Sequence, residues 1–257
     1  MTNPDLKTLI DQGALFVVNH SGGKDSQAMM IKLLELVPAT QMVVVHASLG
    51  DFEWPGALEL AQKQAADAGV DFIVARATKS FFDMVEHRFA TRPEVPSWPS
   101  KSQKQCTSDL KRDPIDREIR RYAAARGLKL IVSCEGLRAQ ESTDRAKCAT
   151  WAYSERNSKA GRCWWKWLPI HALTITEVFA TIAAAGQEPH PAYAQGNERL
   201  SCVFCIMASK NDLQNGARAR PDLFARYVEL EEKTGYTMHM SRKSLRELVG
   251  DAVALAA

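Results

Sequence analysis

Several features are missing from this 257-residue sequence, and each absence excludes something. No apolar run approaches the ~18 residues that cross a bilayer, so no membrane passage is expected. Residues 1–7 show no basic stretch leading into an apolar one, so no secretory leader is expected. No segment recurs at a fixed period of roughly 20–50 residues, which excludes solenoids and propellers. Six cysteines are too few for an extracellular disulfide scaffold of this length. A reducing, cytoplasmic location is the expectation, where cysteines serve as metal ligands, catalytic thiols or core residues. Net charge is small at +3 and by itself indicates neither a nucleic-acid binder nor an acidic tail. What is present is ordinary for a globular protein: 46% hydrophobic and 25% charged residues, which excludes disorder and collagen-like repeats. The length fits one large domain or one domain with an appended module.

The small net charge hides a division. Residues 92–167 carry 17 Lys/Arg against 9 Asp/Glu, a net of +8, and the remainder nets −5. The basic segment is suited to meeting anions.

Hydrophobic patterning alternates short buried strands with helices. Strands are expected at 15–18, 42–45, 72–74 and 128–132. Helices are expected at 25–36, 55–68 and 81–88, and from Asp113 as N-cap with Pro114 as first helical residue to Arg126. This alternation predicts an α/β fold, a doubly wound, mostly parallel sheet with helices on both faces. Residues 134–167 show no clean period and read as a long functional loop. Thr174-x-x-Glu177 predicts a capping box opening a helix to Ala185. Two or three helices are expected from about Ser209, including 221–234. The expected organisation is a nucleotide-binding α/β domain over 1–167, with 168–257 a C-terminal helical module packed on it.

Ser21-Gly22-Gly23-Lys24-Asp25-Ser26 follows the first strand and opens the first helix. Adjacent glycines let backbone N–H groups approach a ligand closely. The helix N-terminus adds free N–H groups and the positive end of its dipole, which makes an anion site suited to phosphates. Lys24 adds a point charge, and Ser21 and Ser26 add hydroxyls. The run matches neither Gly-x4-Gly-Lys-Ser/Thr nor Gly-x-Gly-x-x-Gly. It is instead the motif of the PP-loop ATP pyrophosphatases. The second strand ends in Ser48-Leu49-Gly50-Asp51, at the sheet edge where open α/β sheets bind ligands. Asp51 or Glu53 is a candidate for Mg²⁺ on a nucleotide, and His46 reads as a packed residue.

Further motifs follow in order: Cys106-Thr-Ser-Asp-Leu-Lys111 with Pro114-Ile115; Glu135-Gly-Leu-Arg138-Ala-Gln-Glu141-Ser142; Trp167-Leu-Pro169-Ile170; and Tyr193-x-x-Gly196-x-x-Arg199-x-x-Cys202-x-x-Cys205. With the PP-loop, this ordered set resembles the phosphoadenosine-phosphosulfate reductase family, in particular its phage and DNA-phosphorothioation-type branch, over about residues 14–240. The resemblance implies adenine-nucleotide binding and sulfur chemistry on an adenylyl or sulfonucleotide group. Two departures count against a thioredoxin-dependent reductase. The phosphate loop is intact where those reductases have a degenerate one, and no cysteine follows Cys205 where they carry a nucleophilic one.

The resemblance also implies site residues. Lys24, Asp25, Ser26 and Asp51 would be catalytic. Ser21, Gly22, Gly23, Gly50, Lys111, Arg138, Arg145 and Arg199 would bind the nucleotide, with guanidinium groups suited to bidentate phosphate contacts. Cys202-x-x-Cys205 has metal-ligand or redox spacing. With Cys106 it would hold a [4Fe–4S] cluster, zinc being the alternative, and a disulfide or ordinary buried thiols the other reading. Cys134, Cys148 and Cys163 receive no role. Trp151, Trp164, Trp165 and Trp167 interleave with Arg156, Lys159, Arg162 and Lys166, which reads first as packing and second as a stacking platform for unpaired bases.

The leading expectation is an enzyme that takes ATP with Mg²⁺, acts at the α-phosphate and serves sulfur transfer or nucleotide modification. The alternatives are a sulfonucleotide reductase releasing sulfite, and a nucleotide-gated nucleic-acid-binding module without turnover. Expected partners are an adenine nucleotide, a tRNA or DNA acceptor, a sulfur-donor protein and a second copy of the chain.

Overall fold

A computed structural model of the chain describes residues 3–250. Met1, Thr2 and residues 251–257, the end of the expected helical module, lie outside the described residues. In chain order the elements are α1 (Leu6–Asp11), β1 (Leu15–Asn19), α2 (Lys24–Leu36), β2 (Met42–Ser48), α3 (Ala57–Asp67), β3 (Asp71–Arg76), α4 (Phe81–Thr91) and α5 (Gln105–Thr107). Then follow α6 (Asp113–Ala125), β4 (Leu130–Cys134), α7 (Thr143–Ala146), β5 (Trp151–Tyr153), β6 (Cys163–Trp167), α8 (Ile175–Ala184), α9 (Lys210–Ala219), α10 (Pro221–Thr234) and α11 (Leu245–Val249). They form two compact units.

The first unit comprises the chain up to Ala47, Gly56–Ala75 and Ile115–His190. It holds one six-stranded sheet in the order β3-β2-β1-β4-β6-β5. β1 pairs in parallel with β2 and β4, β4 pairs in parallel with β6, and the short β5 runs antiparallel at the edge. Side-chain alternation builds a core on each face. Phe16, Val18, Met42, Val44 and Val132 pack with Met29, Met30 and Leu33 of α2. Leu15, Val17, Val43, Val45 and Ile131 pack with Ile119 and Ala123 of α6. Each such side chain contributes about 1.5–3 kcal/mol when fully buried. The doubly wound, mostly parallel α/β fold is therefore present as the sequence predicts.

The edge strands β5 and β6 lie inside the stretch expected to be a loop. Their pairing places Trp151 opposite Trp167 and Tyr153 opposite Trp165. Trp151 stacks on Trp167 with centroids 4.9 Å apart, and Trp164 is buried in the opposite core. α8 also belongs to this unit, because Val178 and Ile182 pack on Ala28 of α2. The sheet unit thus reaches His190, past the boundary expected after residue 167.

The second unit comprises Ser48–Pro55, Arg76–Pro114 and the chain from Pro191. Its core is aromatic: Phe52, Phe81, Phe82, Trp98, Phe204, Phe224 and Tyr227 pack together, with Trp98 stacked on Tyr227 at 5.8 Å. α10 carries Leu223, Phe224, Tyr227, Val228 and Leu230 on its buried face. The Trp98 indole donates to the Tyr236 carbonyl at 2.8 Å, which ties down the proline- and serine-rich stretch that reads as a plain loop in the sequence.

Candidate functional site

From β1 the chain passes first to β2 on one side and later to β4 on the other, so the β1/β4 boundary is a topological switch point. The Asn19 side-chain amide locks the two strand ends together, donating to Ser133 Oγ at 2.9 Å and to the Cys134 carbonyl at 2.8 Å. The phosphate loop leaves β1 at this point. Gly22 has φ +75°, and a Cβ there would lie 2.4 Å from the Ala57 carbonyl oxygen. Only glycine fits both that backbone and that approach. Gly136, in the loop after β4, is also tightly placed, though less so: a Cβ would stand 3.1 Å from the Asp25 carbonyl carbon.

The loop is internally braced. The Ser21 amide donates to Ser26 Oγ at 3.2 Å, and that hydroxyl donates to the Gly23 carbonyl at 2.8 Å. α2 then starts at Lys24, with Asp25 in its first turn. Lys24 Nζ lies 3.3 Å from one Asp25 oxygen, and Arg138 Nε lies 2.6 Å from the other. Lys24 and Arg138 are both buried. Two buried cations thus share the Asp25 carboxylate beside a helix N-terminus. That is the electrostatic requirement of an anion site. Arg138 is expected to contact phosphate, and here its Nε is committed to Asp25 while Nη1 bonds Gln140 Oε1 at 3.1 Å. Arg145, in the same unit, pairs with Glu141.

His20, which the motif reading passes over, is buried directly under the loop. Its Nδ1 accepts the Gly22 amide at 3.0 Å, and its Nε2 meets Gln64 Oε1 at 2.5 Å. Burial pushes its imidazole down to about 4; the Gln64 bond opposes that shift and His46 adds to it. Gln64 lies on α3 and carries no sequence signal of this role.

The remaining expected residues belong to the second unit. Gly50 and Asp51 form a 3₁₀ turn with Phe52, and the exposed Asp51 carboxylate faces Arg226 at 4.0 Å. The Arg199 backbone amide bonds the Asp212 carboxylate, which also accepts from the Glu198 amide at 2.8 Å. Lys111 sits on a π-helical segment, Ser108–Arg112, between α5 and α6. Such segments mark functional sites often. Lys111 shares its neighbourhood with Cys202, Cys205, Cys106 and Glu53, and the charge interaction with Cys202 is the main cause raising its pKa. Burial raises Cys106, and it pushes Cys202 up to about 11 even though Lys111 pulls both down.

The three cysteines expected as ligands therefore do share one neighbourhood. They share it with the Lys111 ammonium group, and among the described residues no three His, Cys, Asp or Glu side chains gather as a ligand set. Among the described residues no helix is long and apolar enough to cross a membrane.

Over 134 residues the chain is 32% identical to an uncharacterized 37.8 kDa protein of Escherichia phage 186, encoded in its gpa 5′ region. The match covers 52% of this chain and 39% of that protein. The fold of this chain is similar to that of phosphoadenylyl-sulfate reductase from Candida auris, solved as a phosphate complex. That likeness has a TM-score of 0.51 at 12% identity, over 77% of this chain and 85% of the other. The phosphoadenosine phosphosulfate reductase domain model matches residues 16–208, from β1 through both cysteines of the Cys-x-x-Cys pair, and the chain belongs to that family.

Proposed function

We propose that the chain is a PP-loop enzyme that binds ATP, carried as its Mg²⁺ complex, and acts at the α-phosphate in sulfur transfer or nucleotide modification. The observation that carries this reading is the intact Ser21–Ser26 loop at the β1/β4 switch point, braced on Ala57 and bearing a buried Lys24. In the reaction the bond between the α-phosphorus and its β-bridging oxygen breaks. Pyrophosphate leaves with that oxygen, and the acceptor's nucleophile bonds the α-phosphorus. The departing anion gains charge, and Lys24 with the α2 N-terminus stabilises it electrostatically. Asp25 and Arg138 hold Lys24 in place rather than touching the reacting atoms. No step is routed through the cysteines.

The test is pyrophosphate release from ATP with candidate acceptors, sulfur-bearing and nucleic-acid alike. Gly22→Ala and Lys24→Ala are each expected to lower the rate by at least about a hundredfold. Unchanged release in both variants would overturn the mechanism. A second reading, reduction of a sulfonucleotide to sulfite, is favoured by the family description. Sulfite release from adenylyl sulfate or its 3′-phosphate, with no pyrophosphate from ATP, would select it.

A further inference from the structure

Beneath the phosphate loop lies a buried polar chain that the proposed reaction does not use. It runs from His20 through Gln64 to Gln27 and Gln187. Buried polar groups are costly unless each is satisfied, so such a chain asks for a reason.

Hydrogen-bond direction along it is fixed by backbone carbonyls, which can only accept. The Glu188 carbonyl takes a bond from Gln27 Nε2 at 3.0 Å, which orients the Gln27 amide. The Gln27 carbonyl takes one from Gln64 Nε2 at 3.2 Å, which orients the Gln64 amide and turns its Oε1 toward His20. An amide oxygen accepts, so His20 Nε2 carries the proton. On the other side of the ring the Gly22 amide is a donor, so Nδ1 presents its lone pair. Ser26 Oγ also lies 3.4 Å from Nδ1, with its own proton donated to the Gly23 carbonyl. The Gly22 and Gln64 partners thus select the same neutral tautomer. His46 Nδ1, 2.8 Å from the His20 carbonyl, fixes the backbone of the same residue.

The atom held by His20 is the amide of Gly22, the residue with φ +75° at the apex of the loop. Gly22 has no side chain to set its own orientation, and its neighbour Ser21 is held by Ser26 instead. We infer that His20 is the positioning residue of the phosphate loop: as the Nε2-protonated neutral imidazole, it accepts the Gly22 amide and presets the loop in the shape that a nucleotide phosphate meets. The inference rests on the phosphate-site reading above. Burial supports it, because an imidazole held down to about 4 stays neutral at physiological pH. His20 acts through Gly22 and does not touch the phosphate.

Two substitutions separate this role from packing. In His20→Asn the side-chain oxygen can stand where Nδ1 stands, so the Gly22 amide keeps an acceptor. In His20→Gln the polar group reaches toward Gln64 and the Gly22 amide loses its acceptor. The measurement is ATP·Mg²⁺ affinity by calorimetry on the full chain, with Gly22→Ala as the reference for a broken loop. His20→Gln is expected to weaken binding about tenfold or more, and His20→Asn to stay within about threefold of wild type. Equal losses, or the reverse order, would overturn the positioning role. Nitrogen-15 spectroscopy of the wild-type imidazole at pH 7 tests the tautomer without any nucleotide. An Nδ1-protonated or doubly protonated ring overturns the inference whatever ATP does; an Nε2-protonated ring supports it. Wild-type protein that binds no ATP while showing that tautomer would instead overturn the phosphate-site reading, so the two failures are distinguishable.

Discussion

One carboxylate holds two buried cations at the start of α2. Lys24 and Arg138 reach Asp25 from opposite oxygens, and both lose this counter-charge if Asp25 is neutralised. Breaking a buried ion pair from one side leaves an uncompensated charge, which costs more than the pair contributes. Asp25→Asn is therefore expected to destabilise the chain by about 2–4 kcal/mol, read from the midpoint of urea unfolding. A loss below half a kcal/mol would mean that solvent already screens the cluster. His20 gives a second prediction at this scale. Its folded pKa lies at about 4, below the 6.5 of a free imidazole. Between those values the unfolded chain binds the extra proton, so stability falls as pH drops from 6.5 toward 4 and the loss is complete below it. The groups behind the shift are the burial itself and the His46 imidazole, opposed by Gln64. The full contribution is about 3 kcal/mol. Measured as the difference from His20→Asn, unfolding free energy is expected to slope with pH across this window and to be flat above pH 7.5.

At the scale of elements, the π-helical segment Ser108–Arg112 decides what Lys111 does. The sequence places Asp113 as an N-cap, because proline follows it. In the structure Asp113 is helical, with φ −68° and ψ −42°, and the helix runs on without a break. The wider π turn just before Pro114 absorbs the clash and the missing N–H that proline brings. Lys111, on this segment, lies among the thiols. Lys111 lowers Cys106 and Cys202, and burial outweighs it. Removing the ammonium in Lys111→Met is thus expected to raise both thiols further. Iodoacetamide labelling of Cys202 at pH 8.5, followed by mass spectrometry, is expected to slow by about tenfold. Unchanged labelling would show that the ammonium does not act on the sulfur.

Element by element, the core strands were legible because β1, β2 and β4 are runs of β-branched and large apolar residues buried on both faces. The Thr174 capping box and the Pro221–Gly235 helix were legible from their terminal residues alone. β5 and β6 were not. Trp151, Trp164, Trp165 and Trp167 pack through cross-strand rings, while Lys166 and Arg162 interrupt any apolar alternation, so the pairing exists only in three dimensions. The site divides in the same way. Ser21–Ser26 is local, and its spacing states its chemistry. The His20–Gln64 contact joins residues 44 apart, and the Arg138–Asp25 bond joins residues 113 apart, so neither could be read from spacing.

For the whole molecule, the charge division observed in the sequence has a structural counterpart only in part. The basic residues 92–167 are not one patch: the stretch is shared between both units, and Arg117, Arg121, Arg126, Arg138 and Arg145 are all spent on carboxylates within the first. Net charge alone therefore does not locate a ligand, and the proposed nucleotide site rests on the braced loop instead. A ligand that binds only the folded chain stabilises it by mass action, by about 2.7 kcal/mol at a hundredfold excess over Kd. For a chain of this size that corresponds to a rise in Tm of about 5–10 °C. ATP·Mg²⁺ is expected to produce such a shift in the transition followed by tryptophan fluorescence, since four of the six tryptophans, Trp151, Trp164, Trp165 and Trp167, lie in the sheet unit. Gly22→Ala should abolish the shift, because its Cβ would meet the Ala57 carbonyl at 2.4 Å and force the loop out of shape. A surface change such as Lys63→Gln should leave it intact, since Lys63 is exposed on α3 and pairs with Asp67. An equal shift in Gly22→Ala and wild type would place nucleotide binding away from the loop, and the reading of this site with it.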